Sequence, residues 1–147
     1  MENNNSDAKI GEGLLPARAP LANPYVPFQQ ENPQRYDPRK GLVRGTLFPG
    51  VDLPFMGMVN KNELPVTPLS ELQTVAFALQ ELALYLDTHR DDKEALDLYR
   101  TLQKMYEQGR NTYEKECGPL THMSQSNGAY RWLDDPWPWE YAKNREV

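Results

Sequence analysis

The sequence predicts a mainly α-helical protein: an antiparallel helical hairpin with a proline-rich, extended N-terminal half and a tryptophan- and proline-rich C-terminal tail. Three observations lead there. Ten of the 13 prolines lie in the first 68 of 147 residues, whereas the segment from Thr67 to Cys117 contains only Pro68. Within that segment apolar residues recur at spacings of three and four, the period of a helix with one buried face. Beyond it, Trp132, Trp137 and Trp139 fall within eight residues, interleaved with Pro136 and Pro138.

Residues 1–13 are polar and asparagine-rich, without hydrophobic anchors, and are expected to form a disordered leader. From Leu14 to Gly57 short apolar groups alternate with prolines, among them Leu14-Leu15, Tyr25-Val26-Pro27-Phe28, Thr46-Leu47-Phe48 and Leu53-Pro54-Phe55. Proline removes a backbone donor and fixes φ, so this half is expected to be loop-like or extended. A flexible spacer has no need of aromatic rings. Tyr25, Phe28, Phe48 and Phe55 are therefore read as exposed groups that dock on another surface, with proline limiting the entropy lost on docking. One helical turn is expected over Asp37–Leu42, with Asp37 as N-cap and Pro38 at the first helical position.

The first long helix begins with Thr67 as cap and Pro68 in the first turn. Its apolar stripe runs through Leu69, Leu72, Val75, Ala76, Leu79, Leu82, Ala83 and Leu86. Phe77 and Leu84 fall on a neighbouring flank and widen the apolar arc beyond the ~100° usual for a surface helix. This helix therefore needs more than one neighbour, and Phe77 and Leu84 are candidate partner-binding residues. Asp91 and Glu94 have the spacing of a capping box for the second helix. That helix presents Ala95, Leu98, Tyr99, Leu102, Met105, Tyr106, Tyr113 and Cys117 on one face, with charged residues opposite, and stops at Gly118-Pro119. The short connection makes the pair antiparallel. A two-helix hairpin cannot cover so wide a first helix, so oligomerisation or a partner is expected to complete it. In the tail, alternating Pro and Trp favour an extended, polyproline-like run whose rings either cap the hairpin or grip a partner; Trp132, Trp137 and Trp139 are the candidates.

Charge and composition narrow the function. Residues 1–66 carry seven basic and seven acidic side chains and residues 67–147 carry nine and fourteen, so the net charge of −5 belongs to the second half. No basic cluster offers a face to phosphates, which argues against nucleic acid. Neither a signal-peptide core nor a run of ~18 apolar residues is present, so synthesis and retention in a cytoplasm are expected. Cys117 is the single cysteine and forms neither an internal disulfide nor a metal or redox motif. The acidic turn Asp87-Thr88-His89-Arg90-Asp91-Asp92 matches neither an EF-hand nor a Glu-x-x-His pattern and reads as a helix connection. His122 has no nucleophile at activating spacing, and the glycines at 41, 45, 50 and 57 are not followed by Gly-Lys-Ser/Thr. No catalytic, metal or cofactor-binding residue is assigned.

Two stretches resemble known families. Asn23-Pro24-Tyr25-Val26-Pro27-Phe28-Gln29, Tyr36-Asp37-Pro38-Arg39-Lys40-Gly41-Leu42 and Gly45-Thr46-Leu47-Phe48-Pro49-Gly50-Val51-Asp52-Leu53-Pro54-Phe55 resemble the spore-coat-associated CotJA polypeptides. Phe28 before Gln29, and Gly50 where Glu is common, depart from that pattern. Leu84-Tyr85-Leu86-Asp87-Thr88-His89, Gly118-Pro119-Leu120 and the closing Trp132 and Pro136-Trp137-Pro138-Trp139-Glu140 are similar to CotJB. Residues 14–65 are thus CotJA-like and residues 66–147 CotJB-like. The resemblance implies a non-enzymatic structural or assembly protein, made in the mother-cell cytoplasm of an endospore-forming bacterium and taken into the inner spore coat. It also implies association with other coat proteins and with a CotJC-like protein of manganese-catalase type. A role as an accessory that stabilises that enzyme or controls its metal loading is the alternative.

Overall fold

A computed structural model describes residues 26–53, 64–124 and 128–144. The leader, Tyr25 and Phe55 lie outside the described residues. In chain order the elements are α1 (Pro38–Arg44), a 3-10 turn (Pro49–Val51), α2 (Pro68–Thr88), α3 (Lys93–Glu116), a 3-10 turn (Arg131–Leu133) and α4 (Tyr141–Asn144), with no strand among the described residues. Helices α2 and α3 pack side by side as the hairpin, and α1 packs on α2.

The start of α2 is the expected one. Thr67 Oγ1 accepts from the Ser70 backbone N–H at 3.1 Å, and Ser70 Oγ accepts from the Thr67 N–H at 3.0 Å. The two bonds form a reciprocal capping box in which serine replaces the usual Glu or Gln. The cap of α3 differs from the sequence expectation. It is Asp92, not Asp91, whose Oδ1 accepts from the Ala95 N–H at 3.0 Å, while Asp91 is exposed. A tertiary contact explains the shift by one residue: the second oxygen of Asp92 accepts the Tyr85 hydroxyl at 2.8 Å. The stop of α3 is as expected, with Cys117 as C-cap and Gly118 at φ 145°, a backbone conformation that favours glycine.

The buried face of α2 is rotated from the apolar stripe. Leu72, Ala78, Leu82 and Tyr85 are its most buried hydrophobic residues, while Val75, Leu79 and Leu86 are partly buried around the core. The reason is that α2 is covered from two sides, by α3 and by the chain around Leu47 and Phe48. A stripe drawn for one neighbour marks the wrong centre. Ala78 and Ala95, both fully buried, keep the bodies close. On α3, Ala95, Leu102 and Tyr113 are buried as expected, but Met105 is half exposed. Gly109 fits against α2, since a Cβ there would meet Leu72 Cδ1 at 3.4 Å.

The proline-rich half has more regular structure than expected. Helix α1 extends over seven residues, capped by Asp37 Oδ1 on the Arg39 N–H at 3.0 Å, with Pro38 at its start. Gly45 ends it at φ 79° and donates to the Gly41 carbonyl at 2.8 Å. The chain then folds back over α1. A Cβ on Gly41 would meet the Thr46 carbonyl oxygen at 3.3 Å and Leu47 Cα at 3.4 Å, so glycine is what lets the returning chain lie this close.

Candidate functional site

The contact with most chemical detail is the seam between the N-terminal half and the turn end of the hairpin. Its N-terminal side is a self-braced unit. Arg44 donates to both oxygens of Asp52, at 2.7 and 2.8 Å, and the Tyr36 hydroxyl donates to Asp52 Oδ2 at 3.0 Å. The Tyr36 N–H donates to the Leu47 carbonyl at 2.8 Å, and Lys40 Nζ sits 4.3 Å from the centre of the Tyr36 ring. The Arg44 hydrogen bonds, aided by Tyr36, hold the Asp52 carboxyl below its ordinary pKa. With both ends tied, Thr46-Leu47-Phe48 is presented as a fixed ridge.

The hairpin receives that ridge with an apolar floor and one carboxylate. Leu47 and Phe48 are buried among Ala78, Leu82, Tyr85, Ala95 and Leu102, and the Phe48 and Tyr85 rings meet at 5.3 Å. Glu81 Oε2 accepts the Thr46 hydroxyl at 2.9 Å and the Leu47 N–H at 3.1 Å. The Thr46 hydroxyl oxygen in turn accepts from the Phe48 N–H at 3.2 Å. The backbone that enters the core therefore keeps its polar groups satisfied. At the far edge Asn32, at φ 45°, donates its N–H to the Tyr85 hydroxyl at 3.1 Å, and Arg35 pairs with Glu94.

Tyr85 is the hub. Its hydroxyl accepts from Asn32 and donates to Asp92, and its ring contacts Phe48 and a stacked His89, with centroids 5.3 and 4.3 Å away. Burial, reinforced by Asp92, pushes the Tyr85 phenol pKa up, while the Ala95 N–H and the Tyr85 hydroxyl pull the Asp92 carboxyl down. These shifts favour the protonation states that make the hydrogen bonds. Among the described residues no group of three or more His, Cys, Asp or Glu is placed to hold a metal ion, and no helix is long and apolar enough to cross a membrane.

The tail is compact, not an extended polyproline run. Trp132, Trp137 and Trp139 form a three-ring cluster with centroids 4.9 to 6.3 Å apart, and the Trp137 indole N–H donates to the Trp132 carbonyl at 2.9 Å. Asn144 closes it by donating to the carbonyls of Trp137 and Glu140, at 2.7 and 3.1 Å. The cluster lies at the open end of the hairpin. One groove runs between Tyr113, Cys117 and Trp132 or Trp137, and a second between Thr67, Leu69 and Trp139. Aromatic stacking and the indole bond favour collapse over extension, because an extended run would leave all three rings in water.

The structure scatters the residues named from sequence. Phe48 is 4% exposed and belongs to the chain's own core, which corrects its reading as an exposed group. Phe28 is 91% exposed, Leu84 55% and Trp139 61%, whereas Phe77, Trp132 and Trp137 are half-buried. Sequence reasoning missed Glu81 and Tyr85 as members of the seam. Neither breaks the helical period, and the one available signal was Tyr85 itself, a large ring beside the apolar stripe with a hydroxyl that needs a partner when buried.

The two sides of the seam coincide with two family matches. Residues 20–55 match the family described as spore coat associated protein JA (CotJA), and residues 67–140 match the CotJB protein family. No curated protein and no solved structure matches the chain. The CotJB match spans half of the sequence, so the chain belongs to the CotJB family and carries a CotJA module ahead of it, as one spore coat-associated protein.

Proposed function

We propose that the chain is a non-enzymatic assembly component of the coat that holds a CotJC-like protein of manganese-catalase type, and other coat proteins, through apolar side chains its own fold leaves uncovered. The observation that carries this reading is that large apolar groups remain in solvent on both modules: Phe28 in one, Leu84 and Trp139 in the other. Such groups mark protein contacts when they lie together with half-buried neighbours, as Phe77 does seven residues from Leu84 on the same side of α2. The acidic turn supports a structural role, since Asp92 is engaged by both the α3 cap and the Tyr85 hydroxyl. In this reading the chain is made in the mother-cell cytoplasm and reaches the inner coat together with its partner.

Co-expression with the catalase-type protein, affinity isolation and measurement of stoichiometry test the proposal. A complex that survives high salt is expected, because apolar contacts are not screened. Joint replacement of Phe77 and Leu84 by Ser, or of Trp139 by Ser, is expected to weaken it while the hairpin still folds. Failure to recover the partner at any salt concentration, with both proteins soluble, overturns the proposal. A complex whose formation changes the enzyme's metal content would favour an accessory role instead.

A further inference from the structure

We propose that the seam is a recognition interface in its own right. The block of residues 26–53 binds the hairpin as a ligand binds a receptor, so pairing outlasts the covalent link and the hairpin accepts the same block from a separate chain. Three observations carry this. First, the block is organised by its own contacts: the Asp37 cap, the Arg44–Asp52–Tyr36 cluster and the Tyr36–Leu47 backbone bond all lie within it. A pre-organised ligand loses little entropy on docking. Second, the hairpin without the block would expose the floor formed by Ala78, Leu82 and Tyr85 and leave Glu81 without its two donors. Third, the two family matches end and begin on either side of the connecting stretch, at residues 55 and 67, so each partner of the seam is a module by itself.

The chemistry of recognition is specific. Leu47 and Phe48 supply the apolar anchors, Glu81 reads the Thr46 hydroxyl and the Leu47 N–H, and Arg35 with Glu94 fixes the far edge. The ligand class is therefore a short block that presents Thr-Leu-Phe after a glycine-ended helix, braced by the Arg44–Asp52 pair. Its partner is an antiparallel hairpin with a carboxylate at the rim of an apolar floor.

The test uses the whole chain with a protease recognition site inserted between Gly57 and Glu63, folded first and cleaved afterwards. Native mass spectrometry of the cleaved protein at about 10 μM is expected to show the two pieces as a one-to-one pair, and mixing isotope-labelled with unlabelled cleaved protein is expected to give mixed pairs. Pieces that separate at that concentration, or pairs that never exchange, overturn the proposal. Phe48→Ala is expected to weaken the cleaved pair about thirtyfold or more, as loss of a buried anchor does. Thr46→Val, which keeps the shape and removes the hydroxyl's bond to Glu81 across the seam together with its bond from the Phe48 N–H, is expected to weaken it about fivefold and guards against a variant that simply fails to fold. A cleaved pair as tight as the parent in both variants would also overturn it.

Discussion

At the turn end of the hairpin, Ala78, Leu82, Tyr85 and Ala95 are closed over by Leu47 and Phe48, and the seam bonds made by Tyr85 and Glu81 join buried or half-buried groups. At the open end, the tail lays three tryptophans beside the start of α2 and the stop of α3, yet Trp139 remains largely in solvent. Its polar contacts are mostly internal: Trp137 to Trp132, Asn144 to Trp137, Lys143 to Asp135 and Glu140. Both ends thus cover a hairpin that is too thin to bury itself. One does so with a ridge that becomes core, the other with a cluster that stays surface. The first end consumes its apolar groups internally, and the second leaves part of its apolar area in solvent.

The contrast can be broken most severely at the turn end. Leu82→Asp places a charge at a fully buried position, and a loss of about 4 kcal/mol or more is expected, enough to abolish cooperative melting of the helical circular dichroism. Unchanged melting would mean that the core is elsewhere. Next, Phe48→Ala is expected to cost about 3 kcal/mol. All three tryptophans lie in the tail, so their fluorescence reports the open end alone while circular dichroism reports the helices. The variant is expected to lower the denaturation midpoint seen by circular dichroism and leave the native tryptophan emission maximum unchanged; a shifted maximum would show that the two ends are one unit.

Acid sharpens the comparison further. Asp52 and Asp92 both have folded pKa values below the ordinary carboxylate value, so their contribution is present above pH ~4 and is lost as pH falls through the folded values. Both act at the seam. Melting temperature is expected to fall below pH ~4, and the joint Asp52→Asn and Asp92→Asn variant is expected to flatten that fall. The smallest stability effect is expected for Leu84→Ser, within about 0.5 kcal/mol, because this side chain is already half in water. A larger loss would place Leu84 in a contact of the free chain, as in a homo-oligomer.

Much of this architecture was legible before folding. Thr67, Pro68, Asp37, Pro38 and the Gly118 stop act where the sequence puts them, since caps and breakers are local. The errors share a cause. The α3 cap moved from Asp91 to Asp92 because Tyr85 takes the second carboxylate oxygen, and the α2 face rotated because a second body covers it. In sequence Phe48 resembles a group for an outside partner, whereas in the fold it packs on Tyr85 of the same chain.

By itself the sequence determined the helical hairpin, the start of its first helix and the stop of its second, and the resemblance of its two halves to CotJA and CotJB, because periodicity, capping and proline act over a few residues. Only the tertiary structure decided which apolar groups are consumed internally and which remain free. That choice depends on contacts such as Thr46 with Glu81 and Phe48 with Tyr85, which join residues more than thirty positions apart, and no local pattern encodes them.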